Sequence, residues 1–217
     1  MFTDIQLDTI VLPEELKHHN SKKRIIAFEG VDACGKSTIC EELGKRYDNY
    51  SFVKIPKDYV TMPFKEYLSF GASYIGNSLI YMASLADRKE IAEKQSDTIE
   101  NVVMDRSLWS TIAINYAKHP EKVHDIINIF ASISQYIPLP DVVYVLDVPY
   151  EVCRERIRER AKEVQRFDAM PIEEYNRHME FYYWLEKQNV GVRIYKQNFT
   201  LGIDESVAQI YKELLED

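Results

Sequence analysis

The stretch Ile25–Leu43 reads "IIAFEGVDACGKSTICEEL". An apolar run closes at Gly30, a Gly-Lys-Ser follows at Gly35, Lys36 and Ser37, and helix-forming residues continue from there. Gly30, Gly35, Lys36 and Ser37 satisfy the pattern G-x-x-x-x-G-K-[ST], and the required context of strand before and helix after is present. Glycines let the backbone wrap closely and turn its N–H groups inward, and the helix start adds partial positive charge. The reading is a phosphate cradle formed by Gly30, Val31, Asp32, Ala33, Cys34, Gly35, Lys36, Ser37 and Thr38. Lys36 is placed to reach β- and γ-phosphates, and the Ser37 hydroxyl to ligate Mg²⁺. Asp32 is the anomaly, because a carboxylate facing the phosphates would repel them. The loop alone admits two readings: a turn aspartate capping its own backbone, or a carboxylate aimed at a second substrate.

Outward from the loop, five short runs rich in Val, Ile, Phe and Tyr read as strands: Arg24–Glu29, Ser51–Ile55, Asn101–Asp105, Asp141–Asp147 and Gly191–Lys196. Helical spacing covers Ser37–Asp48, Ser78–Lys94, Leu108–Ala117, Glu121–Ile137, Glu151–Lys162, Ile172–Gln188 and the C-terminal "ESVAQIYKELLE". Alternating strands and helices predict an α/β domain with a parallel sheet covered on both faces. Residues 1–22 fit no unit of that pattern and form an extension of open role: a flexible arm, an added edge strand or an oligomer contact. The remainder, 23–217, reads as a single domain.

Composition bounds the function. The 217 residues are 46% hydrophobic and 29% charged, ordinary for a soluble globular protein. No apolar run approaches the roughly 18 residues of a transmembrane helix, and the N-terminus lacks the basic start and apolar core of a signal peptide. Cys34, Cys40 and Cys153 form no paired pattern, so neither a disulfide framework nor a zinc site is expected, and the expected location is cytoplasmic. A net charge of −8 argues against a nucleic-acid polymer as partner, though not against small anions, and no membrane partner is expected. The five histidines lack metal-like spacing and are expected at the surface. "FYYWLEK", Phe181–Lys187, reads as a core face or a dimer contact.

Four segments in register carry a family resemblance. "FEGVDACGKST" resembles the opening of thymidylate kinases, F-E-G-[ILV]-D-G-x-G-K-[ST]. "SLADRKEIAEK" (Ser84–Lys94) resembles their A-D-R helix, and "VVMDRSLWSTIAINYA" (Val102–Ala117) their D-R-Y-x-x-S-x-x-A-Y segment. "PDVVYVLDVPYEVCRERIRER" followed by "QRFD" resembles their P-D-x-x-x-x-L-D strand, lid and D-R-F-E close. The resemblance runs from about Ile25 to the C-terminus. It implies a three-layer P-loop kinase fold: a five-stranded parallel sheet flanked by helices, with a mobile helical lid at about residues 153–168. It also implies transfer of the ATP γ-phosphoryl group to a deoxynucleoside 5′-monophosphate, most simply dTMP to dTDP, with Mg²⁺, in a homodimer. Asp32 falls where that family contacts the acceptor's 3′-hydroxyl.

Phosphoryl transfer needs alignment and neutralisation of charge more than covalent help. The cations available are Lys36, Arg106 at the end of the third strand, Arg88 on the preceding helix, and the lid arginines. Asp105, beside Arg106 at the C-terminal end of a strand, is expected either to hold Mg²⁺ through water, with Ser37, or to orient a neighbouring arginine. By helical spacing Arg154, Arg158 and Lys162 share one stripe and Arg156 and Arg160 another. Ala33 stands where some relatives carry arginine, so the lid is expected to supply the catalytic charge through Arg158, Arg160 or Arg166, the last also contacting ATP. Lys54, Arg88, Arg106, Ser110, Asn115 and Tyr116 complete the expected acceptor site.

Departures concentrate on the acceptor side. Lys54 in "KIP" replaces an arginine and loses its bidentate fork. Ser84 stands where a phenylalanine would stack on the base, leaving Tyr81 or Met82 to move in, and Ser107 follows Arg106 where a tyrosine is usual. A deoxynucleoside kinase, or a kinase of a different or modified nucleotide, is therefore the nearby alternative. A catalytically weak nucleotide-binding regulatory protein is the alternative of another class.

Overall fold

The computed structural model describes residues 7–19, 21–53, 73–160, 170–196 and 202–216. Strands β1 (Arg24–Glu29), β2 (Tyr50–Phe52), β3 (Asn101–Asp105), β4 (Val142–Asp147) and β5 (Val192–Lys196) form one sheet in the order β2-β3-β1-β4-β5. Every pairing is parallel, so each connection must cross over, and helices do the crossing. They are α1 (Lys36–Arg46), α2 (Tyr74–Glu93), α3 (Leu108–Lys118), α4 (Val123–Ser132), α5 (Tyr150–Arg160), α6 (Ile172–Glu186) and α7 (Ile203–Leu215) among the described residues. The five predicted strands and the seven predicted helices all recur within a few residues.

Strand burial explains the unalternating sequence. Ile25 through Phe28 are all fully buried, because both faces of β1 are covered. Ile26 and Phe28 pack with Ile39, Cys40 and Leu43 of α1 and Val207 and Ile210 of α7. Ala27 points the other way, into a larger cluster with Trp109 and Ile112 of α3, Phe130 of α4 and Phe181 of α6. The result is three layers, helix on sheet on helix.

Three local differences from expectation have local causes. α2 begins at Tyr74 rather than Ser78, because the Ser73 hydroxyl accepts from Gly76 N at 3.1 Å and caps the extra turn. The helix expected over Glu121–Ile137 is confined to α4, bracketed by 3₁₀ turns at Pro120–Lys122 and Ser134–Tyr136. Ser132 Oγ bonds back to Ile129 O at 2.7 Å, a contact that competes with helix continuation. β2 covers the start of the expected Ser51–Ile55 strand, whose last two residues lie outside the described ones.

The described part of the N-terminal extension adds no strand to the sheet. It makes short 3₁₀ turns at Leu7–Thr9 and Glu14–Leu16. Leu7, Ile10, Leu12 and Leu16 are buried in the same cluster as Trp109 and Phe130. The segment is thus fastened to the helical face of its own domain.

Candidate active site

The sheet order places a topological switch between β1 and β3. The chain leaves β1 for β2 on one side and later passes back over β1 to β4 on the other. A crevice opens at the carboxyl ends of strands at such a point, and both charged motifs sit there. One is the loop after β1; the other is the Asp105–Arg106 turn after β3.

The loop has the backbone a phosphate cradle needs. Gly30 and Gly35 have φ of 126° and 109°, and Ala33 has 63°. A Cβ on Gly30 would lie 2.9 Å from Leu146 O, so only glycine lets the loop start this close to β4. Gly35 caps α1 without any side-chain hydrogen bond, leaving the first N–H groups of the helix available to an anion. Lys36 is buried and its Nζ donates to Gly30 O at 3.1 Å, Val31 O at 2.7 Å and Cys34 Sγ at 3.4 Å. Val31 and Cys34 are buried, while Ser37 and Thr38 are exposed at the start of α1.

Ser37 Oγ donates to Asp105 Oδ2. Asp105 Oδ1 is buried and has no hydrogen-bond partner. A hydroxyl beside an orphaned carboxylate oxygen, facing the phosphate loop, is a hard-oxygen set that fits Mg²⁺, which keeps most of its waters and needs only one or two protein ligands. No group of three or more His, Cys, Asp or Glu able to hold a metal occurs among the described residues.

Arg106 organises the other side. Its Nη2 donates to Asp32 Oδ1, and its Nη1 reaches Gly30 O and Ser110 Oγ, each at 3.3 Å. Its backbone sits at φ 69°, a conformation costing about 1–2 kcal/mol for a residue with a side chain. Arg106 N donates to Phe28 O at 3.0 Å, and Arg88 Nη1 donates to both Asp105 O (2.8 Å) and Arg106 O (2.6 Å), which hold the turn in place. Burial works to lower the Arg106 pKa, but Asp32, Asp105 and Glu29 around it hold the guanidinium above its ordinary value. Burial works to raise Asp32, and the Arg106 and Lys36 cations outweigh it, keeping the carboxylate below its ordinary value. Burial lowers Arg88, and its Nε has no partner.

Beneath this layer lies a buried carboxylate. Glu29 accepts from Ser107 N (2.7 Å), Ser107 Oγ (2.6 Å), Tyr182 Oη (3.0 Å) and Ser110 Oγ. Four donors satisfy a charge that would otherwise be costly to bury. They tie β1, the β3–α3 turn and α6 together under the site.

The remaining expected residues divide. Asn115 and Tyr116 are buried and make contacts between helices. Asn115 Nδ2 donates to Ser78 Oγ (3.1 Å) and Thr111 O (2.8 Å), and Tyr116 Oη to Glu180 (3.1 Å). In α5, where the lid was expected to begin, Arg158 is exposed and pairs with Glu155 at 3.1 Å. Its neighbour Arg156 reaches the phosphate loop, donating to Ala33 O at 3.1 Å. Lys54 and Arg166 lie outside the described residues, as does the side chain of Arg160. Met82 and Ser84 are buried, whereas Tyr81 is half-buried and lies close enough to feel the charges of Arg106 and Asp32.

The structure adds groups to which the sequence assigned no site role, Glu29, Tyr182 and His178, and among the lid arginines it brings Arg156 to the loop. Glu29 carried a signal, being an acid that closes an apolar run. His178 carried none. Expected at the surface, it is fully buried on α6, packed edge-on to Tyr182 at 5.1 Å between ring centroids. Burial, then the Arg106 and Lys36 cations, push it down to about 3.

Comparison with known proteins agrees with this geometry. The family model for thymidylate kinase matches residues 28–210. A probable thymidylate kinase of Methanococcus maripaludis is 27% identical over 197 residues, covering 88% of this chain and 93% of that protein. The thymidylate kinase of Leptospira interrogans is 25% identical over 162 residues, 70% of this chain and 76% of its own. In structure, thymidylate kinase from Candida albicans superposes with a TM-score of 0.66 at 20% identity, over 90% of this chain and 92% of that one. A deoxyadenosine kinase from M. mycoides gives 0.65 at 18%, over 89% and 100%. At these identities the two structures speak for the fold.

Proposed function

The chain belongs to the thymidylate kinase family, and from that premise we propose that it transfers the γ-phosphoryl group of ATP to dTMP, giving dTDP. It is a nucleotide-binding phosphotransferase with ATP as its phosphate donor. The observation that carries the acceptor side of the reading is the Asp32–Arg106 pair at the mouth of the phosphate loop. A carboxylate and a guanidinium opposite the donor cradle suit a molecule bearing both a hydroxyl and a phosphate. The alternatives, a nucleoside acceptor or a non-catalytic nucleotide binder, are not favoured.

The roles follow from charge and reach. The open N–H groups of α1 and the Lys36 ammonium hold the donor phosphates, with Lys36 exchanging loop carbonyls for phosphate oxygens. Ser37 and Asp105 would hold Mg²⁺, which when bound neutralises donor charge. Arg106 steadies the acceptor phosphate in line with the donor, and Arg88 keeps the Arg106 turn rigid. Arg156 adds charge above the loop, joined by Arg158, Arg160 and Arg166 on lid closure, which also excludes water. Lys54 and Ser110 complete the acceptor phosphate's surroundings, and Tyr81 offers a ring for the base in place of Ser84. Asn115 and Tyr116 act as supports of the pocket wall. We further propose a cytoplasmic homodimer of one catalytic domain, 23–217, carrying the 1–22 extension.

A coupled ADP-release assay with Mg-ATP against a panel of nucleoside monophosphates and nucleosides tests this. Turnover highest with dTMP, abolished in Lys36→Ala, is expected. ATP binding without acceptor-dependent turnover would sink it.

A further inference from the structure

Glu29 is fully buried at the end of β1, yet its bonds bear on Arg106 by two routes. Its Oε1 accepts from Ser107 N and Ser107 Oγ, and its Oε2 from Ser110 Oγ and Tyr182 Oη. The first route runs through Ser110. Its hydroxyl lies between Glu29 Oε2 and Arg106 Nη1, the latter at 3.3 Å. A carboxylate only accepts and a guanidinium only donates. A hydroxyl has a single proton, so its direction here is forced: the proton goes to Glu29 and a lone pair is left facing Arg106. Ser107 is oriented in the same way. Its Oγ gives its proton to Glu29 and a lone pair to Trp109 N at 3.3 Å, which caps α3.

The second route runs through the backbone. Arg106 sits at φ 69°, a conformation that persists only where the surroundings hold the neighbouring peptide groups. Arg106 N donates to Phe28 O, next to Glu29 in β1, and Arg106 O accepts from Arg88. The following N–H, that of Ser107, donates to Glu29 Oε1 at 2.7 Å. One carboxylate therefore holds the turn with one oxygen and directs the side chain with the other.

We propose that Glu29 is a positioning residue for phosphoryl transfer: acting through Ser110, it fixes the Arg106 guanidinium in the orientation that receives the acceptor phosphate. The proposal rests on the phosphoryl-transfer reading above and deepens it by naming what aims Arg106. An amide at position 29 would keep the shape and lose the direction, because its NH₂ group competes with Arg106 for the Ser110 lone pair.

Two measurements on the full chain separate the aiming of Arg106 from the reaction. In protein labelled with ¹⁵N-arginine, with Arg106 assigned by difference from Arg106→Lys, rotation of a guanidinium held at both Nη groups is slow. Glu29→Gln and Ser110→Ala should each speed exchange between Nη1 and Nη2 about 3- to 10-fold, the effect of one hydrogen bond. In kinetics, each variant should raise the KM for the acceptor monophosphate about 3- to 10-fold and leave the KM for ATP unchanged. The double variant should be no worse than the worse single one, because both act on one contact. Tyr182→Phe removes a different donor from the same oxygen, and should lower the thermal midpoint without moving the acceptor KM. Unchanged Nη exchange in Ser110→Ala would overturn the proposal even if Glu29→Gln does not fold, and whether or not any acceptor is turned over. Additive KM effects, or an equal rise in the KM for ATP, would overturn it as well. Absence of turnover with every acceptor, with exchange accelerated as expected, would overturn the reaction and leave the Glu29–Ser110–Arg106 relay standing.

Discussion

Asp32 and Arg106 hold each other across the mouth of the phosphate loop, and the pair shows how much a single residue can carry here. Asp32 is more than half exposed, so its contribution to stability is small. Its contribution to binding is not, because a hydrogen bond to a charged group is worth about 1.5–3 kcal/mol. Asp32→Asn should therefore raise the acceptor KM by about 10- to 100-fold and leave the thermal midpoint nearly unchanged; steady-state kinetics and a melting curve check both. His178 behaves in the opposite way. Folded, it titrates near 3; unfolded, near its ordinary value of about 6.5. Between those values the unfolded chain binds the extra proton. Its stabilising share is thus complete above about pH 6.5 and lost as pH falls toward 3, by up to about 1.4 kcal/mol per unit. Urea unfolding at pH 7.5, 5.5 and 4.5 should show this slope in the wild type and a flatter one in His178→Gln; identical slopes would refute it. The sequence made the first of these residues legible and hid the second. Lys36, Ser37, Asp105 and Arg106 sit in contiguous motifs at strand ends, where the chain itself dictates their proximity. His178 is buried because of how α6 rolls against the sheet, which no local pattern encodes.

At the scale of elements, register and rotation decide function. Helical spacing put Arg154 and Arg158 on one stripe of the lid helix and Arg156 and Arg160 on another. Which stripe faces the loop depends on how α5 docks through Cys153 and Val152, and docking turns Arg156 inward. Arg156→Ala should accordingly lower kcat more than Arg158→Ala, because Arg158 is exposed and pairs with Glu155 among the described residues; parallel kcat measurements on the two variants decide it. The β1–loop junction is similarly constrained. Gly30→Ala adds a methyl 2.9 Å from a backbone carbonyl at a φ that disfavours any side chain. We expect a loss of about 1–3 kcal/mol in unfolding free energy together with loss of ATP binding, read by denaturant titration and by calorimetry. Strand positions were legible because a doubly covered parallel strand must be uniformly apolar. Helix ends were less so, since Ser73 and Ser132 act through side-chain bonds to backbone that composition does not reveal.

Across the whole molecule, the N-terminal segment is a component of the core rather than an appendage. Leu12 is 1% exposed and shares a cluster with Trp109, Phe130 and Phe181. Leu12→Ala should cost about 2–5 kcal/mol, the range for emptying a well-packed leucine site, and chemical denaturation would measure it. An effect below about 0.5 kcal/mol would mean the segment is only loosely laid on the surface. The role of these residues was illegible because they belong to no strand–helix unit; their four buried aliphatics acquire meaning only once the α3–α4–α6 face exists to receive them. The sheet order was likewise illegible, because periodicity reveals strands but not their neighbours.

The Asp32–Arg106 pair has a logical consequence. In the resting molecule each charge already has a partner, so neither is presented unmet to solvent. A ligand that offers only an anion must part Arg106 from Asp32 and leave the carboxylate stranded. One that offers only a hydroxyl strands the guanidinium. Entry is therefore cheapest for a molecule that supplies both replacements at once, at the spacing the loop and the β3 turn impose. If the pair receives the acceptor as proposed, it works as a two-key lock: inorganic phosphate and a bare nucleoside each hold one key, and the nucleotide holds both.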